Sequence, residues 1–230
     1  IAGVAARHRL PRQAVTIALA AALQESKLRN LDYGDRDSVG IFQQRPSEGW
    51  GSATQLQDPV YATTKFYTAL GKVHGYTAMP VYQAAQAVQH SADGSAYQQW
   101  TDIARQLTGY FTGKSPHNVS CWYTPAGTAN LAGVKRQIGQ TFGPGGRKAV
   151  VVRITTDRSG QKKSSTTAVL HVRPAAGWTV ASWLVAHAQA YHLSQVRYAG
   201  FFWNAANGSM GWQRASKPTS PSGKTGIVAG

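Results

Sequence analysis

From Pro11 the chain reads PRQAVTIALAAALQESKLRN, in which Val15, Leu19, Ala22 and Leu28 recur at helical spacing along one apolar face. Alanine is the strongest helix former and proline is tolerated in a first turn, so composition and periodicity agree on a helix. The next stretch, NLDYGDRDSVG, is dense in Asp, Asn and Gly, which bond locally and accept turn geometries. It predicts a loop that ends the helix. After GIFQQRPSEGWG, further helices are predicted over 60–70, 80–89 and 97–107, so the first half reads as all-helical.

The pattern changes around 109–120, GYFTGKSPHNVS, where small and turn-forming residues predict a linker. Beyond it AVVVRITT and TTAVLHVRP carry the β-branched enrichment of strands, joined by the basic turn DRSGQKKSS, and predict an antiparallel pair. TVASWLVAHAQAYHL returns to helical spacing and VRYAGFFWN predicts another strand. From Lys217, KPTSPSGKTG has no hydrophobic pattern and predicts a flexible tail. The expected class is therefore α+β: a helical domain over 1–112, a linker over 113–121, a small basic α+β domain over 122–216 and a tail over 217–230.

Composition narrows the classes. With 42% hydrophobic and 10% aromatic residues in 230, the chain has enough apolar surface for a core, which excludes wholesale disorder. The longest apolar stretch, Ala14 to Leu23, is about half of the roughly 20 residues a bilayer-spanning helix needs, so no transmembrane segment is expected. Cys121, the single cysteine, permits neither an internal disulfide nor a cysteine-based zinc site. The chain begins at Ile1 without methionine or a signal-like segment, as expected of a processed or trimmed chain whose targeting segment, if it has one, lies outside this sequence.

The net charge of +15 is uneven: residues 1–102 hold nine Lys/Arg and eight Asp/Glu, whereas 103–230 hold fifteen Lys/Arg and the single carboxylate Asp157. Such a field attracts polyanions, and part of it serves solubility. No helix-turn-helix, zinc finger or RNA-recognition motif accompanies the charge, so no nucleic-acid partner is expected.

Glu25 lies near the end of the apolar helix, where a carboxylate can project from packed, partly dry surroundings into a cleft. A general acid for glycosidic cleavage must hold its proton near neutral pH, and such surroundings favour that. Glu25-Ser26 is followed by Ser38-Val39-Gly40-Ile41-Phe42-Gln43-Gln44-Arg45-Pro46, then by Asp58-Pro59 and an aromatic helical stretch. In order and spacing these segments resemble a lytic transglycosylase domain of the lysozyme-like superfamily, whose pattern is Glu-Ser, Gly-Leu-Met-Gln with a nearby Pro, Asp-Pro and Ala-Tyr-Asn. The resemblance covers roughly residues 1–112. It implies Glu25 as the catalytic residue, peptidoglycan as the substrate, no cofactor, and an extracytoplasmic location, secreted or associated with the cell wall.

Ser26, Gly40, Ile41, Phe42, Gln43 and Gln89 are then candidate substrate-binding positions. Gly40 permits close approach beside a polymer groove, Ile41 and Phe42 pack the loop, and Gln43 can bond sugar hydroxyl or acetamido groups. Tyr33 and Trp50 are candidates for stacking on sugar faces. In the resembled family one glutamate protonates the glycosidic oxygen and then takes the proton of the muramic acid 6-hydroxyl, closing a 1,6-anhydro ring. An inverting hydrolase needs a second carboxylate, for which Asp35 and Asp37 are nearest in sequence. Asp32, Asp35 and Asp37 can equally be loop caps or a loose cation site.

The chain departs from the family at Ala84-Ala85-Gln86-Ala87-Val88-Gln89, which puts Val88 where the family has tyrosine and Gln89 where it has asparagine. The family tyrosine helps orient the glutamate. Without it, three outcomes are open: slow turnover, another donor such as Tyr82 or Gln86, or a wall-binding scaffold without turnover.

The second half faintly resembles C-terminal domains of secreted cell-wall proteins related to zinc peptidases. Ser164 and His171 stand where those peptidases have metal-binding His and Asp, so two ligands are replaced. His171, His187 and His192 are the remaining possible zinc set, but His187 and His192 are five apart on a predicted helix and fall on different faces, so no metal is expected. Its basic charge and Trp178, Trp183, Trp203 and Trp212 suit a noncatalytic platform for anionic cell-wall polymers.

Overall fold

Alanine and leucine dominate the stretch that forms the central helix, and they are buried on every side of it. The computed structural model describes residues 1–91, 95–143, 150–156, 166–216 and 226–229, with the side chains of 150–156, 166–169 and 226–229 left aside. The protein mixes helix and sheet and divides into two compact units, 1–108 and 109–230.

In the first unit α1 spans Ala2–His8, α2 Arg12–Ser26, α3 Ala53–Leu56, α4 Pro59–Leu70 and α5 Val81–Gln89, while α6, Thr101–Phe111, runs across the division. Every residue of α2 from Ala14 to Leu23 is buried, so this is not the one-faced helix of the periodicity argument but a core helix, apolar all round. Its short side chains let α4 and α5 approach closely. Thr16, the polar interruption of the run, is satisfied: its hydroxyl and that of Thr108 lie 2.9 Å apart, and their two protons are shared between this contact and the helix carbonyls of Arg12 and Ala104.

α2 stops at Ser26 rather than continuing to Asn30. Lys27 and Leu28 both take left-handed backbone, and their N–H groups return to the carbonyls of Ala22 and Leu23. Leu28 therefore lies beyond the helix. Asp58-Pro59 is the start of α4: the Asp58 carboxylate accepts the Val60 N–H at 2.8 Å, and Pro59 occupies a first-turn position that needs no donor. α6 begins at Thr101, later than expected, because Gln98–Trp100 forms a tight 3-10 turn.

Among the described residues the second unit carries α7, Leu131–Phe142, α8, Pro174–Ala186, and six strands: β1 Val150–Thr156, β2 Thr166–Val172, β3 Gln195–Tyr198, β4 Phe201–Asn204, β5 Gln213–Arg214 and β6 Gly226–Ala229. The strands are ordered β1-β2-β6-β3-β4-β5, antiparallel throughout. VRYAGFFWN is not one strand but the β3–β4 hairpin, turned by Ala199 and Gly200 at positive φ. α8 packs on β2, β3 and β6, and Gly177 permits it, since a Cβ there would sit 1.7 Å from the Tyr198 hydroxyl oxygen.

Two expectations are corrected here. The stretch 113–121 is not a free linker: Trp212 Nε1 donates to the Val119 carbonyl at 2.9 Å, Trp203 Nε1 to that of Cys121 at 3.0 Å, and His117 packs on Trp178 and Phe201. Nor is all of 217–230 a flexible tail, because β6 pairs with both β2 and β3. Two backbone neighbours can hold a four-residue strand that is too short to register as a pattern. Residues 217–225, 230 and the basic turn 157–165 lie outside the described residues.

Trp203 is wholly buried and its indole N–H satisfies a carbonyl of the segment that crosses it. Trp203→Phe is expected to lower stability by roughly 1–3 kcal/mol, the cost of losing the indole hydrogen bond and leaving the Cys121 carbonyl without it; urea unfolding of the full chain measures it, and an unchanged midpoint would contradict the assignment.

Candidate active site

Glu25 is half-buried in the last turn of α2, where the helix leaves the core. Its Oε1 accepts a hydrogen bond from the Tyr97 hydroxyl at 2.6 Å. Tyr97 is 0% exposed. Burial pushes its phenol well above the ordinary tyrosine range, and the Glu25 carboxylate adds to the shift, while a hydrogen bond from Ser91 opposes it. The phenol therefore stays protonated across any working pH and acts as a permanent donor that fixes the carboxyl's orientation. Among the described residues Tyr97 is the one hydrogen-bond partner of Glu25.

Tyr97 is the partner of Glu25 that sequence reasoning missed. Val88, at the expected tyrosine position, is buried among apolar neighbours, as its side chain requires. Of the substitutes considered, Tyr82 accepts from its neighbour Gln83 at 3.2 Å. Gln86 donates to the Ser91 carbonyl, and Ser91 in turn bonds Tyr97. Gln86 thus braces the donor rather than being it.

The same 3-10 turn builds a shelf beside Glu25. Trp100 Nε1 donates to Gln24 Oε1 at 2.7 Å, Gln99 Nε2 reaches the same oxygen at 3.3 Å, and the Lys27 ammonium lies 4.1 Å from the Trp100 ring centroid.

The motif residues around this site are mostly a clamp. Ser26 is buried and its hydroxyl donates to Ile41 O at 2.7 Å and Ala22 O at 3.1 Å. Gln89 Nε2 donates to Phe42 O at 2.8 Å and Gln44 Nε2 to Ala62 O at 3.4 Å. Side chains of α2 and α5 thus grip the main chain at Ile41 and Phe42, and the Gln44 side chain in turn reaches the main chain of α4. Phe42 is wholly buried and stacks on Phe66 with ring centroids 4.6 Å apart. Gly40, at φ +81°, has its Cα hydrogen aimed at the Leu56 carbonyl, 2.4 Å from where a Cβ would stand. Ser26, Gly40, Phe42 and Gln89, expected as substrate-binding positions, are placed here holding the loop.

The other candidates are more open. Gln43, at φ 47°, turns its amide inward to Tyr33 O at 3.2 Å and Gly40 O at 3.1 Å. Ile41 and Trp50 are half-buried and packed against the core, and Trp50 offers its carbonyl to the Tyr61 hydroxyl at 3.4 Å. Tyr33, 63% exposed, presents its ring to solvent.

Asp37 is committed elsewhere. It accepts the Ser47 N–H at 2.7 Å, Arg45 Nε at 2.9 Å and the Ser47 hydroxyl at 3.0 Å. The Ser47 N–H is the main cause, with Arg45 and the Ser47 hydroxyl assisting, of a carboxyl held down at about 2. So acidic a group is a poor base for activating water. Asp32 and Asp35 are exposed, and the described residues contain no group of three His, Cys, Asp or Glu able to hold a metal, neither here nor among His171, His187 and His192. His187 bonds Trp183 O through Nδ1 at 2.8 Å and stacks on that indole. His192 is exposed, and Ser164 lies outside the described residues.

In the second unit one of the four tryptophans expected as a platform is buried and three are half-buried. Trp203 is buried, and Trp178 meets His117, Tyr198, Phe201 and Trp212 edge-on. Trp122, 68% exposed, is the indole open to solvent. No described helix is long and apolar enough to cross a membrane. No protein-family model and no curated protein matches this chain.

Because the folded Asp37 carboxyl sits near 2 rather than at its ordinary 3.8, its contribution to stability is complete above about pH 4 and disappears as pH falls through about 2. Wild type is expected to lose stability more steeply than Asp37→Asn across that window. Acid titration followed by circular dichroism tests this, and parallel curves would contradict it.

Proposed function

We propose that the chain cleaves the glycan strands of peptidoglycan, at the bond from muramic acid to N-acetylglucosamine, with Glu25 as a single acid and base. The observation that carries this reading is the 2.6 Å hydrogen bond from the buried Tyr97 hydroxyl to Glu25 Oε1. It gives the candidate glutamate the orienting donor that Val88 denies at the position the resemblance assigns.

In the first step Glu25 gives its proton to the glycosidic oxygen as the bond from the muramic anomeric carbon breaks, leaving a carboxylate. In the second that carboxylate takes the 6-hydroxyl proton as the 6-oxygen bonds the anomeric carbon. The result is a 1,6-anhydro end and a re-protonated glutamate. Tyr97 steadies the carboxyl through both transfers without giving up its own proton. The tight commitment of Asp37 to Ser47 and Arg45 disfavours it as a second, water-activating carboxylate. This activity belongs outside the cytoplasmic membrane, and the basic half would hold the protein on anionic wall polymers.

Mass spectrometry of purified peptidoglycan incubated with wild type and Glu25→Gln tests the reading. Wild type is expected to release anhydro-muropeptides and Glu25→Gln to lose roughly 10²–10⁴ in rate. Reducing-end products would replace ring closure by hydrolysis. Equal release by both proteins, or retention on the wall with no release by either, would overturn it in favour of another catalytic group or a binding scaffold. Retention of the full chain on purified walls is expected to weaken steeply between low and physiological salt. Salt-independent retention would remove the role given to the basic half.

A further inference from the structure

We propose that Lys27 forms a subsite for a carboxylate on the strand that Glu25 cleaves, an inference that rests on the glycan-cleaving reading and adds to it a charge preference. Lys27 caps α2 in left-handed conformation, two residues after Glu25, and its side chain is exposed. The ammonium is not loose, because it is held 4.1 Å from the Trp100 ring centroid. Trp100 is itself fixed by its bond to Gln24.

Tyr97 and Trp100 are three apart at a 3-10 turn, a spacing that brings side chains to one side. One of them bonds Glu25 and the other carries Lys27, so the candidate acid and the positioned cation share one stretch of surface. Among the described residues no carboxylate forms an ion pair with Lys27, whereas Arg45 and Arg105 both have partners. A ring face orients an ammonium without neutralising it, and an exposed ammonium so oriented keeps its capacity for a charge-assisted bond to an incoming carboxylate.

A peptidoglycan strand offers that chemistry in two places: the lactyl carboxylate of a muramic residue that has lost its peptide, and the free carboxylates of the stem peptide. Neutral N-acetylglucosamine oligomers offer it nowhere. Lys27 would thus separate wall strands from chitin-like ones by charge.

The test is equilibrium binding, by calorimetry, of the full-length Glu25→Gln protein, which does not consume its ligand. It is compared with the same protein also carrying Lys27→Gln or Lys27→Arg. The ligands are neutral N-acetylglucosamine oligomers, peptide-free glycan strands and peptide-bearing strands. Lys27→Gln is expected to weaken acidic strands by roughly fivefold, the scale of one partly exposed charge pair. Neutral oligomers should be unaffected, and Lys27→Arg should restore the preference. A loss confined to peptide-free strands identifies the lactyl carboxylate, and one confined to peptide-bearing strands identifies the stem peptide. Equal weakening of neutral and acidic ligands, no effect on any, or no binding of any strand overturns the proposal. Failure of the glycan-cleaving reading shows separately, as wild type that releases no strand fragments.

Discussion

A helix buried on every side can bring a polar group to solvent only at its end, and α2 imposes that constraint on the first unit. Ala14 to Leu23 admit no carboxylate without an uncompensated buried charge. Gln24 and Glu25 are the first positions at which the core gives way, and both are met by groups of one later turn. Tyr97 comes from 72 positions away to bond Glu25, so the hydrogen bond closes the whole helical unit rather than one local motif.

The loop 29–45 depends on the same helix end. Ser26 holds Ile41 O, Gln89 holds Phe42 O, and Phe42 is buried against Phe66. Side chains that hold a main chain fix a loop more firmly than side chains that touch each other, because each satisfies an obligatory backbone acceptor. The far end of the loop is pinned by Asp37, with Ser47 and Arg45 as its partners. Residues that read as a binding motif therefore act largely by positioning. Among the described residues near Glu25, the Tyr33 ring and Lys27 beside Trp100 are left open to solvent, as are Asp32 and Asp35.

Much of this was legible from local pattern. The alanine-rich run set α2, Asp58-Pro59 carried a cap as well as a motif, and β-branched runs marked β1 and β2. Glu25 could be singled out because its place at the end of an apolar run has a chemical meaning. Tyr97 could not, since nothing in SAYQQW says which of its neighbours will close over another helix end. The one available signal was negative: Val88 left a hydroxyl missing, and the compensating residue had to lie elsewhere. β6 and the ordered course of 115–123 were hidden for a related reason, since both are held by backbone groups and indoles distant in sequence rather than by their own periodicity. The burial of Trp203 likewise depends on what crosses it, which composition cannot reveal.

The central claim is that Tyr97 acts through Glu25, and a double-mutant cycle on the rate of peptidoglycan solubilisation tests it most directly. Tyr97→Phe alone should slow the reaction roughly ten- to a hundredfold while keeping the buried ring in place. On a Glu25→Gln background the same substitution should change nothing further, because the group it orients is already gone. Independent, multiplicative losses in the double variant would contradict the account and separate the tyrosine from the glutamate.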